Sequence, residues 1–583
     1  MKFSELSNYF EKLEKTSSRL SLIEILSELF KKTPAGEIEE IVYLIQGRLA
    51  PFFNPIEIGM AEKTVAVAIA NAYGITKEEV LKLYQEFGDM GLAAEQANLK
   101  FHPFEKLRTN LKSETTVNEV FKILTEIANT KGEGTVEKRQ VLLSNLLKDL
   151  DSISAKHLVR IPLGNTRLGI GDPTVLDALA TANLGDKLKR KLLEGAYNRT
   201  SDLGLIAKTL WKKSLKGVQK LDVRIGSPIR SELCERLPSP EKVIEKMGKV
   251  DAQYKYDGFR VQIHKDGENV RIFSRNLEEM THMFPELIKA SVEQIKANTA
   301  ILDGEALAYN PQSEEFLPFQ ETTKRRRKHG IEEMAAKLPL KAFIFDILYK
   351  DGKSLIDEPL SKRMDILSKV VTEDDVLIKS KNQIVEDPKP LSILLEDAIT
   401  KGLEGVVVKR LESPYEAGAR NFNWVKLKRH SAGELNDTID CVILGYISGK
   451  GKRVAFGAGA LLVGLYDKKN DEFVTVSKIG TGLTDDEWRE VHKRADRIKV
   501  DNKPARVNSS IVPSVWIKPE IVIEVLADEI TRSPVHTAGK TETEPGYALR
   551  FPRLVSFRGL DKRAEDATSV TELIEMYNQQ GKK

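Results

Sequence analysis

The chain has 583 residues, of which 41% are hydrophobic and 30% charged, the composition of a folded protein with several domains. Its 90 basic and 86 acidic residues leave a net charge of only +4, so charge alone does not identify a nucleic-acid partner. The two cysteines exclude a disulfide framework and a four-cysteine zinc site, and no apolar run is long enough to predict a membrane span.

Three regions with different patterns follow one another along the chain. Residues 1–218 repeat apolar side chains at three- and four-residue spacing, as in LIEILSELFKK, and this predicts an all-helical domain. Residues 219–429 alternate strand-like and helical stretches joined by short turns, which indicates an α+β domain with a mainly antiparallel sheet. Residues 430–583 contain short strands separated by turn residues and favour an OB-fold β-barrel.

The stretch YKYDGFRVQIH places Lys255 ahead of an Asp-Gly pair at the start of the second region. Lys-Asp-Gly also occurs at 265–267 and 350–352, where it lies between strand-like runs and predicts hairpin turns with solvated lysines. Lys255 differs, because one residue separates it from Asp257 and Arg260 follows the glycine. The turn signal by itself therefore says little about Lys255.

The chemistry of a lysine amine sets what a nucleophile at this position would need. With an ordinary pKa near 10.4, the amine is almost fully protonated at neutral pH unless burial or nearby cations lower that value. Arg260 supplies positive charge and phosphate donors, and Gly258 allows a bulky ligand to approach the backbone. The residues alone leave open whether Lys255 is a solvated strand-end charge or a nucleophile.

KYDGFR resembles the nucleophile motif of the covalent nucleotidyltransferases, which include ATP-dependent DNA ligases, RNA ligases and mRNA capping enzymes. The family's other motifs follow in order: SRN, LDGEALAY, FIFDILY, EGVVVKR, RNFNWVKLKR and LRFPRLVSFRGLDKRAEDAT. In the first region, RIPLGNTRLGIGDPTVLDALA is similar to the DNA-binding domain of archaeal and eukaryotic replicative DNA ligases. The resemblance therefore covers nearly the whole chain.

The resemblance implies an ATP-dependent DNA ligase that seals nicks in double-stranded DNA during replication, repair and recombination. Lys255 would attack the α-phosphate of ATP and carry AMP, which then passes to the 5′-phosphate of a nick before the 3′-hydroxyl displaces it. We expect a monomer in the cytoplasm of an archaeon, associated with the nucleoid and with no membrane contact. A sliding clamp is a further candidate partner, through residues 96–104.

The resemblance also assigns residues to the nucleotide. Phe345 would stack on adenine, and Gln253, which stands where the family often has glutamate, can still accept a hydrogen bond from the adenine amine. Arg260, Arg275 and Arg420 would contact the nucleotide or the nick phosphate. These predictions place residues as far apart in sequence as Gln253 and Arg420 in one nucleotide pocket.

Two lysines and two glutamates are the predicted phosphate and metal ligands. Lys426 and Lys428 lie two positions apart, so on a strand both ammonium groups point to one face and can meet the α-phosphate. Glu404 begins a valine-rich strand, and its carboxylate suits Mg²⁺, or Mn²⁺ in its place. By resemblance, Glu305 would lie beside the ribose and help to hold the metal.

The terminal motif departs from the family pattern. RFPR, with Arg550 and Arg553, is intact, but two residues instead of one separate Arg558 from Asp561 and Lys562. Either Arg558 or the Asp561-Lys562 pair is therefore displaced by one position. We assign the orientation of pyrophosphate during the first step to this motif. The basic run 324–329 is predicted to be a solvated face or a phosphate contact.

Three alternative functions are considered. An RNA ligase or capping guanylyltransferase is disfavoured by the long helical region and by DKRAEDAT near the end of the chain. An NAD-dependent ligase would normally bring a four-cysteine zinc module, which two cysteines cannot build. A non-catalytic DNA-binding protein with a decayed site is disfavoured, because every charged motif residue is retained.

Overall fold

The computed structural model describes residues 1–54, 56, 58–101, 114–310, 315–317, 322–325, 327, 329–372, 375–400, 403–428, 437–447, 460–480, 483–527, 529–550, 552–558 and 562–580. The chain forms two compact units, one of residues 1–197 and 201–221 and the other of residues 198–200 and 222–583. In these described ranges, no helix is both long and apolar enough to cross a membrane.

The first unit is helical, as its apolar spacing predicts. Its helices span Phe3–Glu14, Arg19–Lys32, Ile38–Ile45, Glu62–Tyr73, Lys77–Phe87, Met90–Phe101, Val117–Asn129, Thr135–Lys148, Ser152–Arg160, Asp172–Leu179, Arg190–Thr200 and Leu203–Val218. Thr116 caps one of them, since its hydroxyl accepts from the amide of Glu119 and the Glu119 carboxylate accepts from the amide of Thr116. The segment 96–104, considered for clamp binding, lies partly outside the described residues, which resume at 114.

A buried ionic cluster lies within this helical unit. Glu11, Glu14 and His157 place possible metal-ligand atoms within 4.8 Å of one another. The Lys156 ammonium contacts Glu11 and lies 2.9 Å from Glu14. Arg160 adds a second cation, 2.9 Å from Glu14. The carboxylate charge is therefore balanced by protein side chains, and the cluster is a structural ion-pair network.

The first half of the second unit contains strands that form two sheets. The strands are β1 (Leu233–Arg236), β2 (Val250–Lys255), β3 (Phe259–Asp266), β4 (Asn269–Ser274), β5 (Thr299–Asn310), β6 (Glu315–Phe316), β7 (Leu340–Lys350), β8 (Lys353–Ser354), β9 (Leu377–Lys379), β10 (Asn382–Val385), β11 (Gly405–Arg410) and β12 (Arg420–Lys428). One sheet has the order β1-β12-β11-β2-β10, and the other β4-β3-β5-β7-β8 with β6 on β5 and β9 on β7. Most pairs are antiparallel, as predicted; β1-β12 and β7-β9 are parallel.

Each of these sheets buries one face beneath helices. The helices of this half span Pro240–Met247, Pro285–Gln294, Ile331–Lys337, Leu360–Val370 and Pro388–Thr400. Val250, Ala252, Val406 and Val408 pack with residues of the first and last of these helices into one core. Since side chains alternate along a strand, the other face of the β2-β11-β12 sheet carries the polar residues of the motifs. That face meets the second sheet across a cavity.

Both Lys-Asp-Gly hairpins form, but their lysines differ. Gly267 joins β3 to β4 with a φ of +58°, and Lys350 pairs with Lys353 across a turn that contains Asp351 and Gly352. Lys350 is partly exposed, as predicted, but the prediction of a solvated Lys265 is wrong. Its side chain is buried, and its ammonium donates to the carbonyl of Ala297 at 2.7 Å, a contact 32 residues away along the chain.

The basic run 324–329 is not a uniformly solvated face. Lys324 and Arg327 are exposed, whereas Arg325 is fully buried and pairs with Glu286. Positions 326 and 328 lie outside the described residues. The prediction of a solvated run is therefore wrong at Arg325, because its guanidinium is buried in an ion pair with Glu286 of the helix Pro285–Gln294.

The last part of the chain is built on a sheet with helices Asp485–Asp496 and Val570–Gln579 against it. Its strands are β13 (Ile439–Ile447), β14 (Ala460–Asp467), β15 (Glu472–Ile479), β16 (Lys499–Val500), β17 (Val507–Asn508), β18 (Val515–Leu526), β19 (Glu529–Ser533), β20 (Gly546–Arg550) and β21 (Arg553–Phe557). The main order is β16-β18-β13-β14-β15-β17, with β21 on β18 and a separate β19-β20 pair. Residues 501–506 join the two edge strands β16 and β17 of this sheet, whose short strands agree with the predicted OB-fold domain.

Candidate active site

Three neighbouring strands present a regular array of side chains to the cavity. Residues paired across antiparallel strands share a face, so β2, β11 and β12 build rows of three. From the outside inwards the rows are Lys255, Gly405 and Lys428, then Gln253, Val407 and Lys426, then Asp251, Lys409 and Trp424. The sequence prediction that Lys426 and Lys428 share one face is confirmed.

Lys255 lies in the outer row and contacts Glu404. Its ammonium pairs with one oxygen of the Glu404 carboxylate, and the Lys428 ammonium lies 3.3 Å from the other. Gly405 has no side chain to separate the two lysines, and a Cβ there would lie 2.1 Å from the carbonyl oxygen of Leu427. Burial alone would raise the pKa of Glu404, but Lys255 and Lys428 outweigh burial and hold it well below its usual range.

The surroundings of Lys426 disfavour its charged form. Burial, reinforced by the nearby Arg236 guanidinium, lowers the pKa of Lys426 to about 7. Burial also acts on Lys428, but Glu404 and Asp437 outweigh it and raise the pKa of Lys428 above its ordinary value. A phosphate placed beside Lys426 would favour its charged form, so this side chain can respond to the ligand.

Phe345 lies at a β-bulge and lines the cavity. On β7 it is the extra residue between Ile344, paired with Gly304, and Asp346, paired with Asp303. Its ring centroid lies 5.9 Å from that of Trp424 in an edge-to-face arrangement. The Phe345 ring therefore lines the cavity rather than the core of its own sheet.

Arg260 also lines the cavity, but protein partners hold it firmly. Its guanidinium forms two hydrogen bonds with Asp303, at 2.9 and 2.5 Å, and a third with the Tyr415 hydroxyl at 3.2 Å. It lies 5.3 Å from the centroid of Phe345. Asp303 thus fixes the position of Arg260 beside the Phe345 ring. The contact of Arg260 with the nucleotide stays a prediction.

A group of carboxylates lies close to Lys255. Burial, with the charges of Asp257 and Glu404, raises the pKa of Glu305 to about 7, although Lys255 and Arg260 oppose the shift. Burial and Glu404 also raise the pKa of Asp257. Mutual repulsion between oxygen donors is what a divalent cation relieves, so these residues fit Mg²⁺ chemically. The metal-ligand roles predicted for Glu305 and Glu404 stay predictions.

The last part of the chain closes the cavity. Arg558 lies 3.5 Å from Glu524, and Lys562 pairs with Asp440. These side chains line the same cavity as Lys255. Arg550 and Arg553 are exposed and are not among the residues that line this cavity, and Asp561 lies outside the described residues. Of the terminal motif, the described structure therefore brings Arg558 and Lys562 to the site.

The helix Val570–Gln579 also reaches the array. One oxygen of Glu572 pairs with Arg420, and Lys426 lies 3.7 Å from that oxygen. Burial would raise the pKa of Glu572, but Arg420 and Lys426 lower it to about 2, so this carboxylate is ionised at neutral pH. The predicted nucleotide ligand Arg420 is therefore held by an anion of the protein itself.

Arg275 faces the last part of the chain rather than the β2-β11-β12 array. Its charge and that of Arg563 outweigh burial and lower the pKa of Asp566 to about 2. Arg275 Nε is buried and has no hydrogen-bond partner among the described residues. Arg275 therefore lies in the cavity wall, and its predicted contact with the nucleotide or the nick phosphate stays a prediction.

Sequence reasoning missed several residues of this cavity. Arg236 faces Lys426 across β1 and β12 and lies 2.5 Å from Asp437, and nothing in its local sequence marks it. Glu572 does have a local signal, because Ser569 and Glu572 form a capping box. The capping box predicts the start of a helix, but it does not predict that the Glu572 carboxylate contacts Arg420.

Comparisons with known proteins identify the family of this chain. The model described as "ATP dependent DNA ligase domain" matches residues 231–428, "DNA ligase N terminus" matches 2–180, and "ATP dependent DNA ligase C terminal region" matches 455–561. The chain belongs to the ATP-dependent DNA ligase family. Family membership disfavours the RNA ligase and capping-enzyme alternatives, since the helical region also matches a DNA ligase model.

Relatives of the ligase include both bacterial and archaeal proteins. The "Probable DNA ligase" of Dictyoglomus turgidum is 47% identical over 582 residues, which is 100% of this chain and 98% of that protein. The "DNA ligase" of Sulfolobus acidocaldarius is 39% identical over 592 residues, covering 100% of this chain and 99% of the relative. Among solved structures, "mycobacterial DNA ligase D complexed with ATP and MES" is 22% identical with a TM-score of 0.33, covering 58% of this chain and 97% of that one.

Proposed function

We propose that this ligase joins the 5′-phosphate and 3′-hydroxyl ends of nicks in duplex DNA through a covalent AMP on Lys255, in replication, repair and recombination. The observation that carries the proposal is the outer row of the array, where Lys255 lies beside Glu404 and Lys428 at the mouth of a cavity. Family membership supports the reaction, and the array supports the choice of residues.

In the first step, the neutral Lys255 amine attacks the α-phosphorus of ATP. A P–N bond forms, the bond from that phosphorus to the bridging oxygen breaks, and pyrophosphate leaves with the electron pair while the amine loses a proton. Lys426 and Lys428 face the same side as Lys255, where negative charge develops on the phosphoryl oxygens. Arg558 and Lys562 line the same cavity and would orient the pyrophosphate.

The later steps use the same cations. The 5′-phosphate oxygen of the nick attacks the lysyl-AMP, so the P–N bond breaks and a pyrophosphate linkage forms. The 3′-hydroxyl then attacks the DNA phosphate, and AMP leaves. Arg420 and Lys426, which now contact Glu572, would receive the nick phosphate once Glu572 moves away from them.

Glu404 and Glu305 would hold Mg²⁺, with Mn²⁺ able to replace it. The bound ion supplies Lewis-acid polarisation of the phosphate oxygens. On the protein side, Glu404 keeps the two outer lysines in place, and Glu305 must lose its proton near pH 7 before its carboxylate can act as an anionic ligand.

The adenine end of ATP would lie deeper in the cavity. Phe345 offers a ring for stacking, and Gln253 in the middle row offers a hydrogen-bond acceptor to the amino group. Both side chains line the cavity. ATP would therefore be bound by its base inside and by its phosphates at the mouth.

We infer further that the ligase acts as a monomer, that the three domains divide near residues 218 and 429, and that it works at the nucleoid in the cytoplasm. Archaeal proteins are among its relatives, which is compatible with an archaeal source. A sliding clamp remains a proposed partner through residues 96–104.

Covalent labelling tests the proposed function. The protein is incubated with α-labelled ATP, GTP or NAD⁺ and Mg²⁺, and nicked duplex is then added. We expect acid-stable label from ATP, its discharge by the nicked duplex with joined strands as product, and no label in Lys255→Ala. Label from GTP alone, or label that persists in Lys255→Ala, would contradict the proposal.

A further inference from the structure

A buried carboxylate lies directly behind the residue that faces the base. Asp251 is fully buried in the inner row of the array. One of its oxygens accepts from the Gln253 side-chain amide at 2.6 Å, and the other accepts from the Asn382 side-chain amide at 2.8 Å. Asn382 belongs to the edge strand β10 and pairs with Gln253 in register.

These contacts fix which end of the Gln253 amide faces the cavity. An ionised carboxylate only accepts hydrogen bonds, so the NH₂ end of Gln253 must point to Asp251 and its carbonyl oxygen must point away. Lys409 lies opposite Asp251 and favours the ionised form, although burial raises the pKa of Asp251. The described part of the chain offers no hydrogen-bond donor to the Gln253 oxygen, and the residue lines the cavity.

The same contacts explain why glutamine suits position 253 in this chain. A glutamate would place a second carboxylate against Asp251, where the Gln253 amide now lies 2.6 Å away. Two buried carboxylates at that distance repel, and one would have to take up a proton. Asp251 and Gln253 therefore form a matched pair. The aspartate carries the negative charge, and the glutamine is the neutral side chain that contacts the base.

We propose that Asp251, supported by Asn382, is a positioning residue that locks Gln253 as a hydrogen-bond acceptor and thereby makes the pocket select a 6-amino purine over a 6-oxo purine. This inference rests on the proposed function, since it takes ATP as the nucleotide bound beside Gln253. Adenine presents an amino donor to a fixed acceptor. Hypoxanthine and guanine present a carbonyl oxygen there, which leaves two acceptors facing each other.

The test compares α-labelled ATP with α-labelled ITP, whose base differs from adenine in carrying a 6-oxo group. In Asp251→Asn, the new amide can donate to the Gln253 oxygen, which frees the Gln253 amide to rotate and present NH₂ to the base. We expect the ratio of kcat/KM for labelling, ATP over ITP, to fall at least about tenfold, the effect of roughly one hydrogen bond. Asn382→Ala should lower the ratio in the same direction but less.

A polarity swap tests whether Asp251 acts through residue 253. In Asp251→Asn/Gln253→Glu the asparagine donates to one glutamate oxygen and leaves the other as acceptor, so the ATP preference should return. Gln383 is an exposed neighbour of Asn382 on β10, and Gln383→Ala should leave the ATP-over-ITP ratio unchanged. If Asp251→Asn does not fold, Asn382→Ala and the double variant still provide the comparison.

The outcomes separate this inference from the proposed function. A parallel loss of ATP and ITP labelling in Asp251→Asn and Asn382→Ala, or a double variant that does not regain the preference, would overturn the positioning role. Failure of the proposed function would instead be seen in the unsubstituted protein, as a lack of label from ATP at Lys255.

Discussion

Burial shifts the pKa values of Lys426 and Glu305 towards neutral pH from opposite sides. Burial with the Arg236 charge lowers the pKa of Lys426 to about 7, and burial with two neighbouring carboxylates raises the pKa of Glu305 to about 7. The proposed phosphate contact requires the charged form of Lys426, and the proposed metal contact requires the charged form of Glu305. We therefore expect the first contact to weaken as pH rises through 7 and the second to weaken as pH falls through 7.

Substituting arginine for Lys426 should remove one of these effects. In the unsubstituted protein, deprotonation of Lys426 should make the kcat/KM for labelling by ATP fall about tenfold per pH unit above 7. Arginine stays protonated, so this fall should be absent in Lys426→Arg. The measurement is the ratio of unsubstituted to variant kcat/KM between pH 6 and about 9, which should fall with pH. A ratio that stays constant with pH would contradict the titration of Lys426.

Lys428 provides the matched control for this titration. Glu404 and Asp437 raise its pKa, so it remains protonated over the whole range. Lys428→Arg is therefore expected to change the rate without removing the alkaline fall. If Lys428→Arg removed the fall as well, the titrating group would have to be another residue.

At the scale of elements, two glycines in similar motifs should behave differently. A Cβ on Gly258 would lie 2.2 Å from the carbonyl oxygen of Ala306, so Gly258→Ala must shift the loop after Lys255 away from β5. Gly267 has open space around its Cβ position, and its φ of +58° is the only obstacle to alanine. Both substitutions should destabilise the protein by about 1–3 kcal/mol.

Only Gly258→Ala should also disable the chemistry. A displacement of about 1 Å at a reacting group lowers rates roughly 100-fold, so labelling by ATP should fall by that order in Gly258→Ala and stay near normal in Gly267→Ala. Thermal unfolding gives the stability change and label formation gives the activity. Equal labelling by the two variants would show that the approach of Gly258 to β5 does not position Lys255.

The helix Val570–Gln579 places a carboxylate beside the two cations that are proposed to bind the nick phosphate. Glu572 pairs with Arg420 and lies near Lys426, so we expect it to compete with that phosphate for both of them. In Glu572→Gln, the Kd of the adenylylated enzyme for nicked duplex should fall about tenfold, because one charge-assisted contact no longer has to be broken. Fluorescence anisotropy at fixed salt measures the change.

Glu575 serves as the control on the same helix, since it makes no ion pair with Arg420 or Lys426 among the described contacts. Glu575→Gln removes the same charge one turn further along and should change the Kd by less than about threefold. If both substitutions tighten binding equally, general charge rather than competition at Arg420 is the cause.

Individual elements show how far sequence could predict this site. Strand alternation is local, so the shared face of Lys426 and Lys428 followed from their spacing alone. The β-bulge at Phe345 exists only when β5 pairs with β7, so no local pattern predicts it. Lys265 and Arg325 are buried because of partners 32 and 39 residues away, and local charge patterns carry no information on such contacts.

At the scale of the whole second unit, one cavity contains Lys255 and would serve both the reaction with ATP and the later reactions with DNA. Its wall combines Lys255 and Lys426 with Arg558 and Lys562 from the last part of the chain. In the proposed first step, this arrangement would bring cations to the pyrophosphate end of ATP. In the proposed later steps a nicked duplex needs access to the same Lys255, so we expect residues of the last part to withdraw between the first step and the later ones.

Separating the steps tests this division of labour. Lys562→Ala should slow labelling by ATP about 10- to 100-fold, because a cation at the leaving pyrophosphate is lost, while sealing of a nick that already carries 5′-AMP should stay near normal. Lys540→Ala removes an exposed lysine of the same region and should leave both rates unchanged. Equal losses in both steps would mean that Lys562 supports the fold through Asp440, its ion-pair partner, rather than the departure of pyrophosphate.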